Sequence, residues 1–310
     1  MDIICDKTYT VAGHTFRIVA QEQLLDSPSM KAYSPFEVDS HTTGVSFDGQ
    51  QLLFTLTAEH NVSATDATLI LKDPKQRPEM SRTDVYHIPE GHLFELRLPF
   101  CDQVNVRIRI NSQSGQARVA LYGDERQLAL GLNSAAMLCY VLTTAQLGTL
   151  LMHASVVING GYAYLFLGRS GTGKSTHSRL WQENIAGSEL MNDDHPVIRL
   201  NKQGRAIAYG SPWSGKTSCY RNISAPIGGI IRISRASVNS IHRLAPVAAY
   251  ASLRPSSSGM SWEQASADGR DYTLQSIICT IPCWTMECLP DEEAAHLCAA
   301  AVRKKALCND

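Results

Sequence analysis

Residues 168–175 contain the motif that most constrains how this chain can fold. They read Gly-Arg-Ser-Gly-Thr-Gly-Lys-Ser and match the pattern G-x-x-x-x-G-K-[ST]. An apolar run of strand length, Tyr162–Leu167, precedes the motif, and residues 176–181 continue as the first turns of a helix. A strand, a glycine-rich loop and a helix in this order are typical of a phosphate-binding loop. The sequence therefore predicts nucleoside triphosphate binding; the alternative is a glycine-rich turn that matches by chance.

Each part of this phosphate loop has a physical role in binding an anion. Glycines let successive backbone N–H groups point at one phosphate, and the helix N-terminus adds partial positive charge. Lys174 is predicted to reach the β- and γ-phosphates, and the Ser175 hydroxyl is predicted to ligate Mg²⁺. The residues predicted to bind the nucleotide are Gly168, Ser170, Gly171, Thr172, Gly173, Lys174, Ser175 and Thr176.

The composition is that of an ordinary globular chain. Its 310 residues are 44% hydrophobic, which predicts one or two domains with a sizeable core. The net charge of −1 provides no basic field for nucleic acid or anionic lipid, so neither partner is expected. Residues 1–7 contain no basic segment followed by an apolar stretch, so no signal peptide is expected. A cytoplasmic location is therefore predicted, with the nine cysteines reduced.

Two other features raise alternatives to this interpretation. No acidic or basic residue occurs between Gln127 and Gly168, but glycines and polar residues interrupt the run. A buried helix followed by buried strands is therefore favoured over a membrane-spanning helix. A cysteine cluster lies near His296, but none of its spacings is C-x-x-C, so packing is favoured over zinc binding. Its members are Cys279, Cys283, Cys288 and Cys298.

The first part of the chain, residues 1–126, is predicted to be a β-rich domain of unknown role. Short apolar runs, two of which alternate apolar and polar residues, are separated by turn signals such as Asp48-Gly49. Alternation of this kind is typical of a half-exposed antiparallel sheet. The predicted strands are residues 15–19, 52–56, 68–71, 93–98 and 104–110.

Residues 127–310 are predicted to form a catalytic domain that mixes helices and strands. The turn Asn159-Gly160-Gly161 between two apolar runs predicts a β-hairpin leading into the phosphate loop. Such a hairpin departs from the usual parallel arrangement around a phosphate loop. The other predicted elements are a helix at 132–147, strands at 227–233 and 281–288, and a closing helix at 291–304 with Asp291 as its N-cap.

A pair of aspartates forms a second candidate group. Asn192-Asp193-Asp194 follows the loop after enough chain for one helix and one short strand. A carboxylate at a strand end beside the loop is where an Mg²⁺ ligand belongs. Adjacent residues on extended chain point to opposite sides, so one aspartate could face the metal and the other the attacking hydroxyl. The alternative is a solvated turn. His153, at the start of the hairpin, is predicted to be either structural or close to the loop.

A third group, residues 209–216, reads Tyr-Gly-Ser-Pro-Trp-Ser-Gly-Lys. Two glycines, a proline and a tryptophan predict a tight turn. This turn could form a wall opposite the phosphates, with Lys216 as an added cation. It could instead be a surface connection under which Trp213 packs.

Taken in order, these groups resemble a known family. His153, the hairpin, the phosphate loop, the aspartate pair and residues 209–215 are similar to the catalytic domain of HPr kinase/phosphorylase and related serine kinases. That domain shares its nucleotide-binding core with ATP-dependent phosphoenolpyruvate carboxykinase, and the resemblance covers residues 130–305. It implies an α+β P-loop kinase domain, preceded here by the β-rich domain, with ATP and Mg²⁺ as cofactors.

The resemblance also implies roles for single residues. Asp193 is assigned as the general base for a serine hydroxyl, and Asp194 with Ser175 as metal contacts. Lys174 and His153 are assigned to the phosphates as catalytic residues. The chain departs from the bacterial enzymes at Thr176-His177, where they usually carry an acidic residue. Their later arginine-containing segment is not recognisable around Arg232 and Arg235. An acceptor other than HPr is therefore expected.

The leading functional hypothesis is an ATP-dependent kinase that phosphorylates a serine hydroxyl. The expected partners are ATP and an unidentified serine-containing protein, peptide or small molecule; a homo-oligomer is left open. One alternative is a carboxykinase-like transfer to a small carboxylate. Another is a nucleotide-regulated binding module without catalysis.

Overall fold

The computed structural model of the protein describes residues 3–38, 52–74, 78–215 and 217–303. Lys216, the Asp48-Gly49 turn and the predicted end of the last helix at Lys304 lie outside the described residues. The chain forms two compact units, Met1–Thr144 and Ala145–Asp310. The division falls after Thr144 rather than after residue 126, because the helix at residues 125–144 packs on strands of the first unit.

The first unit is built around a nine-stranded sheet, which agrees with the predicted β-rich character. Its strand order is β3-β1-β2-β4-β9-β8-β7-β6-β5. Four of these strands, β1, β3, β6 and β9, were not among the predicted ones. The elements are β1 Ile4–Val11, β2 His14–Gln21, α1 Glu22–Leu25, β3 Glu37–Val38, β4 Thr55–Glu59, β5 Thr68–Leu71, β6 Arg82–Ile88, β7 Gly91–Arg97, β8 Val106–Asn111, β9 Gln116–Leu121 and α2 Glu125–Thr144.

Helix α2 covers part of this sheet. It packs against β8 and β9, and the Tyr140 hydroxyl donates a hydrogen bond to the Val11 carbonyl at 3.0 Å. The sequence placed this helix at 132–147, whereas it begins at Glu125. By length and composition α2 is the one helix in the described chain that could cross a membrane, and half of its apolar window is buried. A core helix meets the same criteria.

The second unit contains the predicted phosphate loop, residues 168–175. Its sheet has the order β10-β14-β15-β16-β12-β11-β13, with β18 paired to both β16 and β17. The elements are β10 Thr149–Leu151, β11 Ala154–Asn159, β12 Tyr162–Leu167, α3 Lys174–Asn184, β13 Glu189–Asp194, β14 Val197–Leu200, β15 Ala206–Tyr209, β16 Ser224–Arg235, β17 Ser240–Arg243, α4 Pro246–Leu253, α5 Gln264–Thr280, β18 Cys283–Cys288 and α6 Glu292–Val302.

The predicted hairpin before the phosphate loop is confirmed. Strands β11 and β12 pair antiparallel, from Asn159 opposite Tyr162 to Ala154 opposite Leu167. Gly160 and Gly161 form the turn with φ values of 58° and 79°, which glycine adopts without strain. Strand β12 is also parallel to β16, and β11 is antiparallel to β13. The sheet is therefore mixed, and both units together give a fold that mixes α and β structure.

Helices cover both faces of this sheet, which explains why its central strands are apolar throughout. On β12, Leu165 and Leu167 face a core formed with α4 and α5, while Tyr164 and Phe166 face a core formed with α3 and α6. Cysteines of the predicted cluster pack in these cores, Cys283 in the first and Cys288 and Cys298 in the second, whereas Cys279 is exposed.

The closing helix begins as the sequence predicts. Asp291 is the N-cap of α6, and its side chain accepts a hydrogen bond from the Ala294 N–H at 2.9 Å. A capping carboxylate of this kind satisfies a backbone donor that has no partner inside the helix. Helix α6 thereby holds its apolar side against α3, the helix that follows the phosphate loop.

Candidate functional site

The candidate site lies where β12 and β13 end and β11 begins. Residues 168–173 connect β12 to α3, and α3 begins at Lys174. Gly171 and Gly173 have φ values of 80° and 110°, which disfavour any other residue. The antiparallel pairing of β11 with β13 places Ala154 opposite Asp194 and Ser155 opposite Asp193. The predicted loop and the predicted aspartates therefore meet at one edge of the sheet.

Lys174 is buried, with 8% of its surface exposed. Its ammonium group donates to the Gly168 carbonyl at 3.2 Å and lies 2.7 Å from Nε2 of His153. Burial lowers the pKa of Lys174, while the charges of Asp194 and Asp193 oppose that change. Within the described chain this ammonium group forms no ion pair, so its charge is available to a phosphate.

Asp193 is buried and takes hydrogen bonds on both carboxylate oxygens. Ser175 Oγ donates to Oδ1 at 2.9 Å, and Thr217 Oγ1 donates to Oδ2 at 2.7 Å. A carboxylate and a hydroxyl oxygen at this spacing are the hard oxygen donors that Mg²⁺ prefers. The chemistry of Ser175 and Asp193 therefore fits a magnesium ion beside the phosphate loop.

Asp194 has a different environment. Its two carboxylate oxygens lie 2.9 Å from Nδ1 of His153 and 3.2 Å from Nδ1 of His195, and 32% of its side chain is exposed. Burial works against ionisation of this carboxyl, but hydrogen bonds from the two histidines hold its pKa well below the usual range. Its φ of 149° is uncommon for a residue other than glycine, and such strain is often found at functional sites.

These contacts form a continuous hydrogen-bonded chain from the phosphate loop to the solvent. The order is Gly168 carbonyl, Lys174, His153, Asp194 and His195. The contacts assign the His153 tautomer, because Nδ1–H donates to Asp194 and Nε2 then accepts from Lys174. His153, which the sequence left as structural or functional, links the loop lysine to an aspartate.

The same groups offer a second set of metal ligands. One ligand atom each from His153, Asp194 and His195 lie within 4.8 Å of one another. A set rich in imidazole suits Zn²⁺ better than Mg²⁺. The carboxylate–nitrogen distances of 2.9 and 3.2 Å are also those of hydrogen bonds.

Residues 209–215, the 209–215 loop, pack on the aspartates through the backbone. The Gly215 N–H donates to the Asp193 carbonyl at 2.6 Å, and the His195 N–H donates to the Trp213 carbonyl at 3.1 Å. The Trp213 side chain is only 3% exposed and packs inside. The backbone of the loop therefore contacts the candidate site, as the first alternative expects. The Trp213 side chain packs in the interior, as the second alternative expects. Lys216 lies outside the described residues.

Replacing Gly215 with alanine is expected to lower turnover without unfolding the protein. A Cβ there would lie 3.1 Å from Cβ of Asp194 and 3.2 Å from the Asp193 carbonyl, so the aspartates must shift by a few tenths of an ångström. A displacement of that size at reacting groups is expected to cost about tenfold in rate. Phosphoryl transfer and thermal unfolding should be measured together.

Gly204 provides the matched control for this substitution. It lies in the exposed turn between β14 and β15 with φ of 72°, and an added Cβ would meet nothing within 4 Å. Gly204→Ala should lower stability through backbone strain but leave turnover unchanged. Equal turnover in the two alanine variants would contradict a supporting role for the 209–215 loop.

A cavity of about 480 Å³ opens beside the phosphate loop. It lies between the first turns of α3, the end of β16 and residues 288–290. Its walls are mostly apolar. Arg235 contributes a guanidinium to the lining, and this group donates a hydrogen bond to the Gly171 carbonyl at 2.5 Å. The lining residues are Thr172, Gly173, Thr176, His177, Leu180, Ile233, Arg235, Ala236, Cys288, Leu289 and Pro290.

His177 lines this cavity and is almost fully buried, with 2% exposure. Neither ring nitrogen has a hydrogen-bond partner within the described chain, and the ring packs edge-on against Phe166. Burial lowers the pKa of His177 from 6.5 to about 4. The imidazole is therefore neutral at physiological pH.

Acidification is expected to destabilise the second unit through His177. Between pH 6.5 and about 4 the unfolded state binds a proton there and the folded state does not, so stability is present above pH 6.5 and falls as pH falls. The loss is about 3 kcal/mol at most. His177→Leu should flatten the decrease in melting temperature over this window. A slope equal to that of the wild-type protein would contradict this account.

Three residues of the site were not predicted from the sequence. His195 follows the aspartates directly, so its contact with Asp194 was within reach of sequence reasoning. Thr217 carries no motif, and only the fold brings its hydroxyl to Asp193. Arg232 entered the sequence analysis only as a place where the arginine-containing segment of the bacterial enzymes is not recognisable. In the fold, its strand β16 pairs with β12.

Comparisons with known proteins add little to this geometry. No protein-family model matches the chain, and no curated protein matches it. Among solved structures, the HPr(Ser) kinase/phosphatase from Coxiella burnetii aligns with 49% of this chain and 93% of its own, at 14% sequence identity. The TM-score is 0.29, and at that value the likeness does not establish a shared fold or function.

Proposed function

We propose that this protein is an ATP-dependent kinase that transfers the γ-phosphoryl group to a serine hydroxyl. One observation carries the proposal: the hydroxyl of Ser175 in the phosphate loop donates to Asp193, while Lys174 of the same loop is linked through His153 to Asp194. A phosphate-binding loop is thus joined to two carboxylates in different environments. This combination suits phosphoryl transfer to a hydroxyl, in which one carboxylate can support the metal and another can orient the nucleophile.

The two aspartates are proposed to act in the reverse order to that implied by the family resemblance. Both oxygens of Asp193 already accept hydroxyl hydrogen bonds, and Asp193 is 5% exposed. It is therefore suited to the metal beside Ser175 and poorly placed for an incoming acceptor. Asp194 has about a third of its side chain exposed, and among the described residues its oxygens accept from two histidines rather than from hydroxyls, so it is suited to orient the acceptor.

In this mechanism the chain's own groups position the reactants. Backbone N–H groups of the phosphate loop and Lys174 bind the β- and γ-phosphates, and the nucleoside occupies the cavity beside Thr176. Mg²⁺, when bound at Ser175 and Asp193, would offset charge on the phosphate oxygens. Asp194 accepts a hydrogen bond from the acceptor hydroxyl and then its proton. The low pKa of Asp194 makes it a weak base, which a loose transition state tolerates because the hydroxyl is deprotonated late.

The experiment that tests the proposal is transfer of labelled phosphate from γ-labelled ATP, with Mg²⁺, into a lysate of the source organism. We expect a labelled product whose phosphate survives acid and is released by alkali, as a serine phosphoester behaves. Lys174→Ala is the matched inactive control. Label in a small acid-labile product would instead favour transfer to a carboxylate.

Measuring ATP binding together with phosphoryl transfer distinguishes the kinase from the non-enzymatic alternative. Tight ATP binding with no transfer under single-turnover conditions would contradict the kinase proposal and favour a nucleotide-regulated binding module. Absence of ATP binding by the folded wild-type protein would contradict the phosphate-loop assignment itself.

A further inference from the structure

Arg232 lies beside the start of the phosphate loop. Strand β16 is parallel to β12, and the Cα of Arg232 pairs with that of Leu167, the residue before Gly168. Side chains alternate along a strand, so Arg232 shares a face of the sheet with Ile230, which belongs to the core formed with α4 and α5. Arg232 lies at the end of that core, at the same edge of the sheet as the candidate site, and its charge acts on Lys174.

In the part of the chain that the structure describes, the guanidinium of Arg232 donates hydrogen bonds to serines and not to carboxylates. Its Nε donates to Ser252 Oγ at 2.8 Å, and its Nη2 donates to Ser256 Oγ at 3.0 Å and to the Ser252 carbonyl. Among the residues that the structure describes, no carboxylate lies within ion-pair distance of this half-buried side chain. Its Nη1 forms no hydrogen bond within that part of the chain. One face of a fixed cation is therefore left without an anionic partner.

The segment that fixes Arg232 also contacts the hydrogen-bonded chain of the site. The Ser256 carbonyl accepts a hydrogen bond from the His153 N–H at 2.7 Å, and Met152 forms a β-bridge with Ser257. Ser256 thus contacts Arg232 through its side chain and His153 through its backbone. The guanidinium and the His153–Asp194 pair are positioned by the same few residues.

The charges around Arg232 favour binding of an anion. Burial lowers the pKa of Arg232, and the nearby charge of Arg169 lowers it further. Arg232 in turn contributes to the lowered pKa of Lys174. Cations that repel one another in a partly buried site carry a free-energy cost, which an oxyanion bound to them would relieve.

We propose that Arg232 is a catalytic residue whose Nη1 binds an oxygen of the γ-phosphoryl group as it passes from the nucleotide to the acceptor. This rests on the proposed kinase function. The bond between the γ-phosphorus and the bridging oxygen breaks, and its electron pair stays on ADP. The acceptor oxygen forms the new bond to phosphorus, and its proton moves to Asp194. Arg232 donates to an oxygen that remains on the transferred group throughout, so it offsets charge without exchanging a proton.

The test compares Arg232→Met with the wild-type protein in two assays on the full chain. Calorimetry measures the affinities for ADP and for a triphosphate analogue with a nitrogen between the β- and γ-phosphorus. We expect affinity for the analogue to fall about tenfold to a hundredfold, because a hydrogen bond between charged groups is lost. ADP affinity should stay within twofold. Transfer should fall about a thousandfold, as when other phosphate-binding arginines are removed.

Arg205→Met is the matched control. Arg205 is exposed in the turn between β14 and β15, at the end of these strands opposite to the aspartates. It should behave as wild type in both assays. If Arg232→Met keeps the analogue-to-ADP ratio and the transfer rate, the inference is overturned. Equal loss of ADP and analogue affinity also overturns it, because Arg232 would then not act on the terminal phosphoryl group.

The outcomes separate this inference from the kinase proposal. A wild-type protein that prefers the analogue over ADP through Arg232 but transfers no phosphate would contradict the kinase function and keep only the contact between Arg232 and the terminal phosphate. It would leave Arg232 as the sensor of the terminal phosphate. A wild-type protein that binds neither nucleotide would contradict both.

A second pair of measurements applies if Arg232→Met does not fold. The double variant Ser252→Ala, Ser256→Ala keeps the guanidinium but removes the side-chain acceptors that orient it, and should lower transfer about tenfold while ADP affinity is unchanged. Free guanidinium ion should restore transfer to Arg232→Ala but have no effect on Lys174→Ala. Wild-type transfer by the double variant, together with no rescue by guanidinium, would overturn the inference.

Discussion

Replacing Lys174 with alanine is expected to lower phosphoryl transfer at least a hundredfold to a thousandfold, the effect of removing one preorganised donor from a charged transition state. The ammonium group is fixed between the Gly168 carbonyl and His153 and has no carboxylate partner among the described residues, so it donates to phosphate without first breaking an ion pair. Nucleotide affinity by calorimetry and transfer rate with labelled ATP are the two measurements.

Because Lys174 is buried, its removal leaves space beside His153, and stability must be measured in parallel. Lys174→Met keeps most of the side-chain volume and should show the same loss of transfer with a smaller change in melting temperature. Lys202→Ala, in the exposed turn between β14 and β15, is the control of equal charge change. A folded Lys174→Met protein with wild-type ATP affinity and transfer would show that the loop does not bind phosphate.

The two aspartates are expected to respond differently to replacement by asparagine. Asp194→Asn should keep Mg·ATP binding and lower transfer by roughly 10²–10⁴-fold, the usual effect of losing a general base. Asp193→Asn should instead raise the Mg²⁺ concentration needed for half-maximal transfer, because one oxygen beside Ser175 becomes a neutral amide. Transfer rates over a Mg²⁺ titration measure both effects in one experiment.

The opposite pattern would support the order that the family resemblance implies, with Asp193 as the base and Asp194 at the metal. Small and equal effects would show that the aspartates do not divide the work. A strong response of Asp194→Asn to Zn²⁺ rather than Mg²⁺ would favour a metal held with His153 and His195.

Much of the second unit was predictable because local signals there are strong. The Asn-Gly-Gly turn specified a hairpin, the glycine-rich motif specified a loop before a helix, and Asp291 specified a helix start. The first unit was harder, since strand β6 contains Arg82, Asp84 and His87 and lacks the apolar run that marks a strand. Its pairing with β7 and β5 depends on distant parts of the chain, which sequence patterns do not encode locally.

The candidate site was predictable in its membership more than in its arrangement. Spacing and residue type brought Lys174, Ser175 and the aspartates together, but the order of the aspartates depends on the register of β13 against β11. Thr217 and Arg232 reach the site only through long-range pairing and carry no local motif. Burial of Lys174 was also missed, because a loop lysine gives no sign of what covers it.

The hairpin turn at Gly160 and Gly161 has an importance out of proportion to its distance from the reacting groups. Strands β11 and β12 are almost entirely buried on both faces, so alternation of apolar and polar residues cannot select one alignment over its neighbour. A slip by a single residue would exchange one apolar core for the other at little cost, yet it would turn His153 away from Lys174. The short turn, with both glycines at positive φ, permits a single alignment and so fixes the arrangement of the candidate site. Insertions there are therefore expected to give a folded protein in which His153 no longer contacts Lys174.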